Sequence, residues 1–215
     1  MPKPAPKPSA LADLPQGWEI KKLEEIVTFF NGAAFKESDW RESGTPIIRI
    51  QNLNGSKVFN HFSGEISDNY RVLNGDLLFA WSGSRGTSFG AHIWNGNEAI
   101  LNQHIFNVKI KSQLVSKSYI FYQLRWITKA IEQRAHGSAG LVHITKKELG
   151  KQEILLPPLL EQQRIASILS SMDSRLESEN ARIAHLEHLK KALMQYLLTG
   201  KYLTQPVTTH SRGTL

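Results

Sequence analysis

The sequence predicts an α+β protein in which a globular mixed α/β domain is followed by one long coiled-coil helix. Two observations support this fold class. Short apolar runs, separated by turns rich in glycine and asparagine, fill the first two thirds of the 215 residues, as expected for strands and short helices around a core. From residue 165 onward, apolar residues recur at alternating spacings of four and three, which is typical of a coiled coil.

The first half of the globular domain is expected to contain mainly strands. Residues 1–13 alternate proline and lysine and predict an extended, disordered tail without the apolar segment of a signal peptide. Residues 18–26 predict a strand or a short helix that enters the domain. Residues 46–50 predict a core strand, and residues 76–81 predict a second strand that follows an Asn-Gly turn.

The second half of the domain continues with strands. Residues 91–94 and 99–110 predict strands that are joined by a hairpin turn at Asn-Gly-Asn, residues 95–97. We expect Asn-Gln-His at residues 102–104, which interrupts the second of these apolar runs, to face a cleft.

Helical segments and a loop complete the domain. Ser116 or Ser118 is expected to cap a helix that ends near Arg134, because one face of this segment is apolar. Residues 137–140 read as a loop, and Thr145 is expected to cap a short helical turn. The domain is expected to span residues 14–156.

The long helix is expected over residues 157–200, with a C-terminal tail at 201–215. Pro157 and Pro158 suit a helix start, since proline is tolerated in the first turn, and Gly200 is a plausible stop. One narrow apolar stripe on so long a helix requires another helix to cover it. The expected helix-partner positions are Ile165, Leu169, Met172, Leu176, Glu179, Ile183, Leu186, Lys190, Leu193 and Leu197.

The positive charge of the chain is localised. The net charge is +7, and residues 73–151 hold ten basic and four acidic side chains, whereas residues 1–72 hold nine of each. A local basic surface favours binding to a phosphate backbone, because the displaced counterions supply much of the affinity. A merely solubilising surface is the alternative interpretation.

Several catalytic classes are disfavoured by the residue types. The chain has no cysteine, which excludes disulfides, thiolate zinc sites and cysteine nucleophiles. Pro157-Pro158 is flanked by leucines, so it lacks the hydrogen-bonding groups of an amino-methyltransferase loop. Residues 83–86 (GSRG) lack the setting of a dinucleotide-binding loop. Residues 19–21 (EIK) match only half of a nuclease metal site. We therefore expect neither catalytic residues nor a metal site in this chain.

The candidate DNA-binding residues are polar side chains in and between the expected strands. Arginine pairs with guanine, and asparagine or glutamine with adenine, because two hydrogen-bonding atoms meet two on the base edge. Small residues allow backbone amides to approach phosphates. Ordinary loop polarity is the alternative for each, and Trp81 is interpreted as a core residue. The candidates are Arg49, Gln51, Asn52, Tyr70, Ser82, Ser84, Arg85, Thr87, Asn102, Gln103, His104, Ser138, His143, Lys146 and Lys147.

Four motifs occur in the order of a known family. They are LPQGWE at residues 14–19, GDLLF with a following SGS at 75–84, GSAG leading to ITKKE at 137–148, and LLPPLLEQQRI with LMQYLLTGK at 155–201. Together they resemble DNA-specificity (S) subunits of Type I restriction-modification systems, in which a target-recognition domain precedes a spacer helix. Members usually carry two of each, so this chain resembles a half-subunit.

The resemblance implies a function and a set of partners. It implies a non-catalytic subunit that reads a few base pairs of double-stranded DNA and docks adenine methyltransferase (M) subunits, which would bind S-adenosylmethionine. This chain would itself bind no cofactor. A restriction (R) subunit is a possible further partner, a cytoplasmic location is implied, and no membrane is involved. The alternative is a coiled-coil assembly protein whose basic domain binds RNA or a protein.

The polar residues of the helix stripe predict its partner. In an antiparallel homodimer, Glu179 can face Lys190 while Ile183 faces Leu186, so that both charges are paired and the apolar positions meet each other. A parallel pair in register would instead oppose identical charges. The rival arrangement is a single copy whose stripe is covered by helices of two methyltransferase subunits.

Overall fold

The structure is a computed structural model that describes residues 14–134 and 140–200. The expected tails, residues 1–13 and 201–215, lie outside the described residues. The strands are β1 (Glu19–Lys22), β2 (Val27–Asn31), β3 (Thr45–Ile48), β4 (Asn60–Phe62), β5 (Arg71–Val72), β6 (Leu77–Ala80), β7 (Ser82–Ser84), β8 (Gly90–Ile93), β9 (Ala99–Leu101), β10 (Ile105–Ile110), β11 (Leu141–His143) and β12 (Glu153–Leu156). The helices are α1 (Leu23–Ile26), α2 (Ile50–Leu53), α3 (Lys117–Arg134), α4 (Lys146–Gly150) and α5 (Leu159–Leu198), with 3₁₀ turns at Glu37–Asp39 and Asp68–Tyr70.

The described residues form two compact units, the first ending at Ser167. An antiparallel sheet in the order β2-β10-β6-β8 forms the centre of the first compact unit. All four residues of β6 are buried, because both faces of this strand are covered. Leu77 and Phe79 belong to the larger core, which includes the buried face of α3, whereas Leu78 and Ala80 belong to a second core. This division follows from the alternation of side chains along a strand.

A second sheet, in the order β4-β3-β9-β5, contributes to the second core through Ile48, Val72 and Leu101. Within this sheet β3 runs parallel to β9, and Ile48 pairs with Leu101. The carboxyl ends of these two strands therefore lie side by side, and the residues that follow each strand leave the sheet at the same edge.

The expected strand over residues 99–110 is divided into two strands of different sheets. β9 pairs with β3 and β5, whereas β10 pairs with β2 and β6, and residues 102–104 form the turn between them. The expected hairpin at residues 95–97 is wrong, because β8 pairs with β6 and not with β9. The Trp94 indole N–H donates to the carbonyl of Asn97 at 2.8 Å and its ring lies against Gly96, so an aromatic side chain organises this loop.

Several other expected elements agree with the structure. Residues 18–26, expected as a strand or a short helix, contain both, since β1 is followed directly by α1. The next strand, β2, was not expected. The strand expected over 46–50 ends at Ile48, because Arg49 is the N-cap residue of α2. Ser116 caps α3 by accepting from the Tyr119 amide, and Thr145 caps α4, as expected.

The beginning and the end of the first compact unit meet through two of the sequence motifs. β1 and β12 form an antiparallel pair, and Gly17, with φ of +80°, lies against the ring of Pro158. The Trp18 indole donates to the Glu161 carboxylate at 3.1 Å. Gln162 is 1% exposed, and its amide donates to the carbonyls of Pro157 and Leu114 and accepts from the Ser116 amide.

Helix α5 begins in the first compact unit, which ends at Ser167, and continues through the second. Ile165, expected in the helix-partner interface, instead packs against the larger core beside the buried Ala166. The other apolar positions of the expected stripe are exposed, as are the neighbouring Leu189 and Met194. Gly200, with φ of +70°, follows the helix and acts as the expected stop. None of the described helices is long and apolar enough to cross a membrane.

Candidate nucleic-acid interface

Polar side chains gather at the edge where β3 and β9 end. Arg49 and Gln51 follow β3, and Asn102, Gln103 and His104 follow β9. The Asn102 amide donates to the Ile48 carbonyl at 3.0 Å, which holds the two segments together. We call the set Arg49, Gln51, Trp81, Asn102, Gln103, His104 and His143 the polar edge.

Trp81 connects the turn after β9 to the strand β11. Its indole N–H donates to the carbonyl of Gln103 at 2.9 Å, and its ring centre lies 5.1 Å from that of His104 and 4.9 Å from that of His143. A third ring, Phe106, stacks against it at 6.0 Å. Trp81, interpreted as a core residue, packs against the larger core with a partly buried side chain, and its ring also contacts the two imidazoles of the polar edge.

Arg49 is held in a fixed orientation at this edge. Its guanidinium lies 4.6 Å from the centre of the Trp40 ring, and one terminal nitrogen donates to the Asn60 side-chain oxygen at 2.9 Å. Trp40 and Asn60 were not among the expected site residues, and no sequence pattern places them beside Arg49.

Asn52, which was expected to contact DNA with Arg49 and Gln51, has a different position. It is 8% exposed, its side-chain oxygen accepts from the Arg49 amide at 2.9 Å, and its nitrogen donates to the carbonyls of Ser56 and Val58. Its hydrogen bonds therefore stabilise the local loop. Gln51, by contrast, is exposed.

The segment after Trp81 is more ordered than a flexible loop tip. Ser82 and Ser84 lie in β7, which pairs with β11, so that Ser82 is opposite His143. The Arg85 amide donates to the Gly140 carbonyl, and the Thr87 hydroxyl donates to the Ser84 carbonyl. The side chains of Ser84, Arg85 and Thr87 are nevertheless exposed.

One backbone amide of this segment already donates a hydrogen bond to a carboxylate within the protein. Gly86 N–H donates to the Glu132 carboxylate at 2.7 Å, so this amide does not point freely to solvent as the sequence suggested. A carboxylate at this position also reduces the local positive potential.

The remaining candidates lie on three segments. Lys146 and Lys147 are exposed in the first turn of α4, three and four residues after His143. In the same turn, the pKa of Glu148 is lowered, mainly because its carboxylate accepts a hydrogen bond from the Thr145 hydroxyl. Tyr70 precedes β5, which runs antiparallel to β9, and this register places it near the end of β9. Ser138 lies outside the described residues.

The basic residues of segment 73–151 are less concentrated than the charge count suggested. Lys109 pairs with Asp76 at 2.8 Å, Lys111 donates to the Glu24 carbonyl, and Lys117 donates to the Gly75 carbonyl. These three lysines support the fold. Among the residues that the structure describes, no group of three histidine or acidic side chains is arranged to hold a metal ion.

A sheet edge with guanidinium, amide and imidazole side chains, in a chain that continues into a helix with an exposed apolar stripe, is typical of a recognition module with a docking segment. Residues 15–188 match the model of the Type I restriction modification DNA specificity domain. The chain belongs to this family, and the resemblance noted in its motifs is confirmed.

Curated relatives and solved structures agree with this assignment. The chain is 27% identical over 194 residues to the Type I restriction enzyme EcoBI specificity subunit of Escherichia coli, covering 89% of this chain and 40% of that protein. It is 29% identical over 210 residues to the MjaVIII specificity subunit of Methanocaldococcus jannaschii, covering 91% and 48%. The chain thus spans less than half the length of these relatives.

The fold is also found in solved structures. The HsdS subunit from Thermoanaerobacter tengcongensis superposes with a TM-score of 0.63 at 21% identity, over 89% of this chain and 46% of that one. A chain from a study of complex assembly and conformational transition of the type I R-M system gives a TM-score of 0.70 at 22% identity, over 90% and 47%. These likenesses support the α+β fold with a long C-terminal helix.

Proposed function

We propose that this chain is a half-sized DNA-specificity subunit, in which the first compact unit reads double-stranded DNA and helix α5 docks partner helices. The polar edge carries this proposal, because it gathers side chains that can hydrogen bond to base edges at the end of two neighbouring strands. Family membership supports the same conclusion. It does not favour the alternative of an assembly protein with an RNA-binding domain.

The proposed contacts fall into two groups. The first group reads base edges, since its side chains offer the donors and acceptors that base edges require. It consists of Arg49, Gln51, Asn102, Gln103, His104 and His143. Tyr70, Ser82, Ser84, Arg85, Thr87, Lys146 and Lys147 contact the sugar-phosphate backbone and set the orientation of the duplex. Asn52 supports the loop that carries Arg49.

The chemistry of modification is assigned to partner proteins. We propose that methyltransferase subunits bind S-adenosylmethionine and methylate adenine, and that this chain contributes no catalytic group. A restriction subunit is a further proposed partner. The relatives are named as specificity subunits of Type I restriction enzymes, which supports this division of labour.

The proposed partner of α5 in the absence of other subunits is a second copy of this chain, antiparallel to the first. The helix is continuous through Glu179 and Lys190, and the apolar residues between and beyond them are exposed. Antiparallel pairing places each Glu179 opposite the Lys190 of the other copy. Leu189 and Met194 widen the apolar face towards the C-terminus, and this extra width is available to methyltransferase helices in a complete complex.

Titration of the full chain with duplex DNA at several salt concentrations tests DNA binding. We expect Lys146→Ala to weaken all sequences equally and to reduce the slope of log affinity against log salt by about one, as expected for a phosphate contact. Lys129→Ala is the matched control, since Lys129 is an exposed lysine on α3. A wild-type chain that binds no duplex, with or without a methyltransferase subunit, would refute the proposal.

A further inference from the structure

Arg49 is held by an aromatic ring and a neutral side-chain amide. Arg49 is half-buried, its guanidinium lies over the face of Trp40, and one terminal nitrogen donates to the neutral amide of Asn60. The ion pairs of the described residues involve other cations, and Arg49 takes part in none of them. A rigid guanidinium without a counter-charge is left with donors for an external acceptor.

Arg71, near the same edge, provides the contrast. Its guanidinium donates to the carboxylates of both Asp68 and Glu98, so its charge is balanced and its donors are directed to partners within the protein. The two arginines are connected to the same sheet, since β3 and β5 both pair with β9. Of these two arginines, Arg49 combines a plane fixed by a ring with donors that its internal hydrogen bond does not use.

We propose that Arg49 reads a guanine in the target duplex through two parallel hydrogen bonds, and that Trp40 and Asn60 are positioning residues that fix its plane. This inference rests on the proposed function. Guanine presents N7 and O6 as two acceptors in the major groove, which match the fork of a guanidinium. The stacking of Arg49 on Trp40 removes the rotational freedom that the side chain would otherwise lose on binding.

A phosphate is the other DNA group that could accept from Arg49, and the surroundings favour the base. The neighbours at the polar edge are Gln51, Asn102 and Gln103, whose side-chain amides suit base edges. A lysine can contact a phosphate through its charge, but it cannot offer the planar pair of donors that guanine N7 and O6 accept from a fixed guanidinium.

Trp40 is suited to this role through its ring face. Its indole nitrogen is buried and has no hydrogen-bond partner among the described residues, so the N–H contributes no bond that phenylalanine would lose. Trp40→Phe therefore keeps an aromatic face for Arg49, whereas Trp40→Leu removes it.

Selection of bound sequences from a randomised duplex library, with the full-length chain, tests the inference. For the wild type we expect an enriched motif that contains a guanine. Arg49→Lys keeps the charge but loses the fork, and should reduce the preference for guanine at one position by about tenfold or more, with the other positions and the salt slope unchanged. Trp40→Leu should reduce the same preference, and Trp40→Phe should largely preserve it.

Arg71→Lys is the matched control and should leave the motif unchanged. An unchanged motif for Arg49→Lys would overturn the inference while leaving the proposed function intact. An equal loss of affinity for all sequences, with a smaller salt slope, would assign Arg49 to a phosphate and also overturn it. A wild-type chain that binds duplexes but enriches no motif, or that binds none, would count against both the inference and the proposed function.

Discussion

Asp76 stabilises the junction between β6 and β10 through its charge. Its carboxylate accepts from the Leu73 amide at 3.0 Å and from the Lys109 ammonium at 2.8 Å. Burial alone would raise the pKa of this carboxyl, but the hydrogen bonds from Leu73 and Lys109 outweigh it and lower the pKa below its usual range. The ionised form is therefore favoured more strongly in the folded than in the unfolded chain.

Asp76→Asn should lower the free energy of unfolding at pH 7 by about 1–2 kcal/mol, because the asparagine keeps the shape but loses the charge-assisted bonds. A carboxyl with a lowered folded pKa stabilises the protein above its unfolded pKa, about 3.9, and this stability is lost as the pH falls through the folded pKa. Urea unfolding at pH 7 and at lower pH measures the effect, and the difference between variant and wild type should shrink in acid.

Asp68→Asn is the matched control for Asp76→Asn. Asp68 also bonds to a cation, Arg71, but its side chain is 95% exposed, so its removal should change stability little. Equal losses for the two variants, or a difference that does not depend on pH, would show that the ionised form of Asp76 is not favoured by folding.

At the residue scale, the sequence predicted which residue types could bind DNA better than it predicted where their side chains lie in the fold. The types that suit base edges were evident, and most of these candidates do lie around the ends of β3 and β9. The sequence did not show which of these side chains make hydrogen bonds inside the protein. Asn52 and Gln51 are neighbours in sequence, yet only Asn52 is buried. Trp40 precedes Arg49 by nine residues, and no local pattern in the sequence indicates that their side chains meet.

At the element scale, Gln162 explains why the motif at the start of α5 contains a glutamine. One buried amide bonds to Pro157 before the helix, to Leu114 before α3 and to the Ser116 amide at the N-cap of α3. This side chain therefore joins the first turn of α5 to the beginning of α3 within the first compact unit.

Gln162→Ala should lower the free energy of unfolding by about 2–3 kcal/mol, because it leaves buried backbone groups without partners. Gln163→Ala is the matched control, since Gln163 is the exposed neighbour in the same helical turn. Chemical denaturation of both variants measures the difference. A loss for Gln162→Ala no larger than that for Gln163→Ala would contradict this role for the amide.

Helices α3, α4 and α5 and about half of the described strands could be predicted from local pattern, whereas strand pairing could not. Capping residues and apolar periodicity indicated α3, α4 and α5 because those signals lie within each segment. The break at residues 102–104 was seen as an interruption of an apolar run, but the change of sheet there depends on contacts with β3, β2 and β6. Asn-Gly at 95–96 is a strong sequence signal for a hairpin. In this chain no hairpin forms there, and the loop is instead held by the hydrogen bond from the Trp94 indole to the Asn97 carbonyl.

For the whole molecule, the proposed division of labour predicts that the purified chain alone transfers no methyl group from labelled S-adenosylmethionine to DNA. Transfer should appear when a separate methyltransferase protein is added, and it should require the DNA-binding residues of this chain. Lys129→Ala, outside the proposed contacts, should retain transfer in the mixture. Methyl transfer by the highly purified chain alone would contradict the assignment of the chemistry to a partner.

The second prediction for the whole molecule concerns self-association through α5. In the antiparallel pair each Glu179 faces the Lys190 of the other copy, so the dimer contains this contact twice. Glu179→Lys puts lysine opposite lysine at both contacts, and Lys190→Glu puts glutamate opposite glutamate at both. Each single variant should weaken the dimer by about tenfold or more, since like charges within an apolar stripe are costly. The double variant restores opposite charges at both contacts and should dimerise like the wild type. Such a two-fold dimer would mimic a two-domain subunit, and it predicts a two-part palindromic target.

Light scattering over a concentration series measures these dimers without assuming their geometry. Glu177→Lys makes the same change of charge on the helix but one residue outside the stripe, so it should leave the dimer intact. A parallel dimer in register would still oppose identical charges in the double variant and would not recover. A monomeric wild type, or a double variant no better than the single ones, would exclude the antiparallel homodimer and favour a single copy covered by methyltransferase helices.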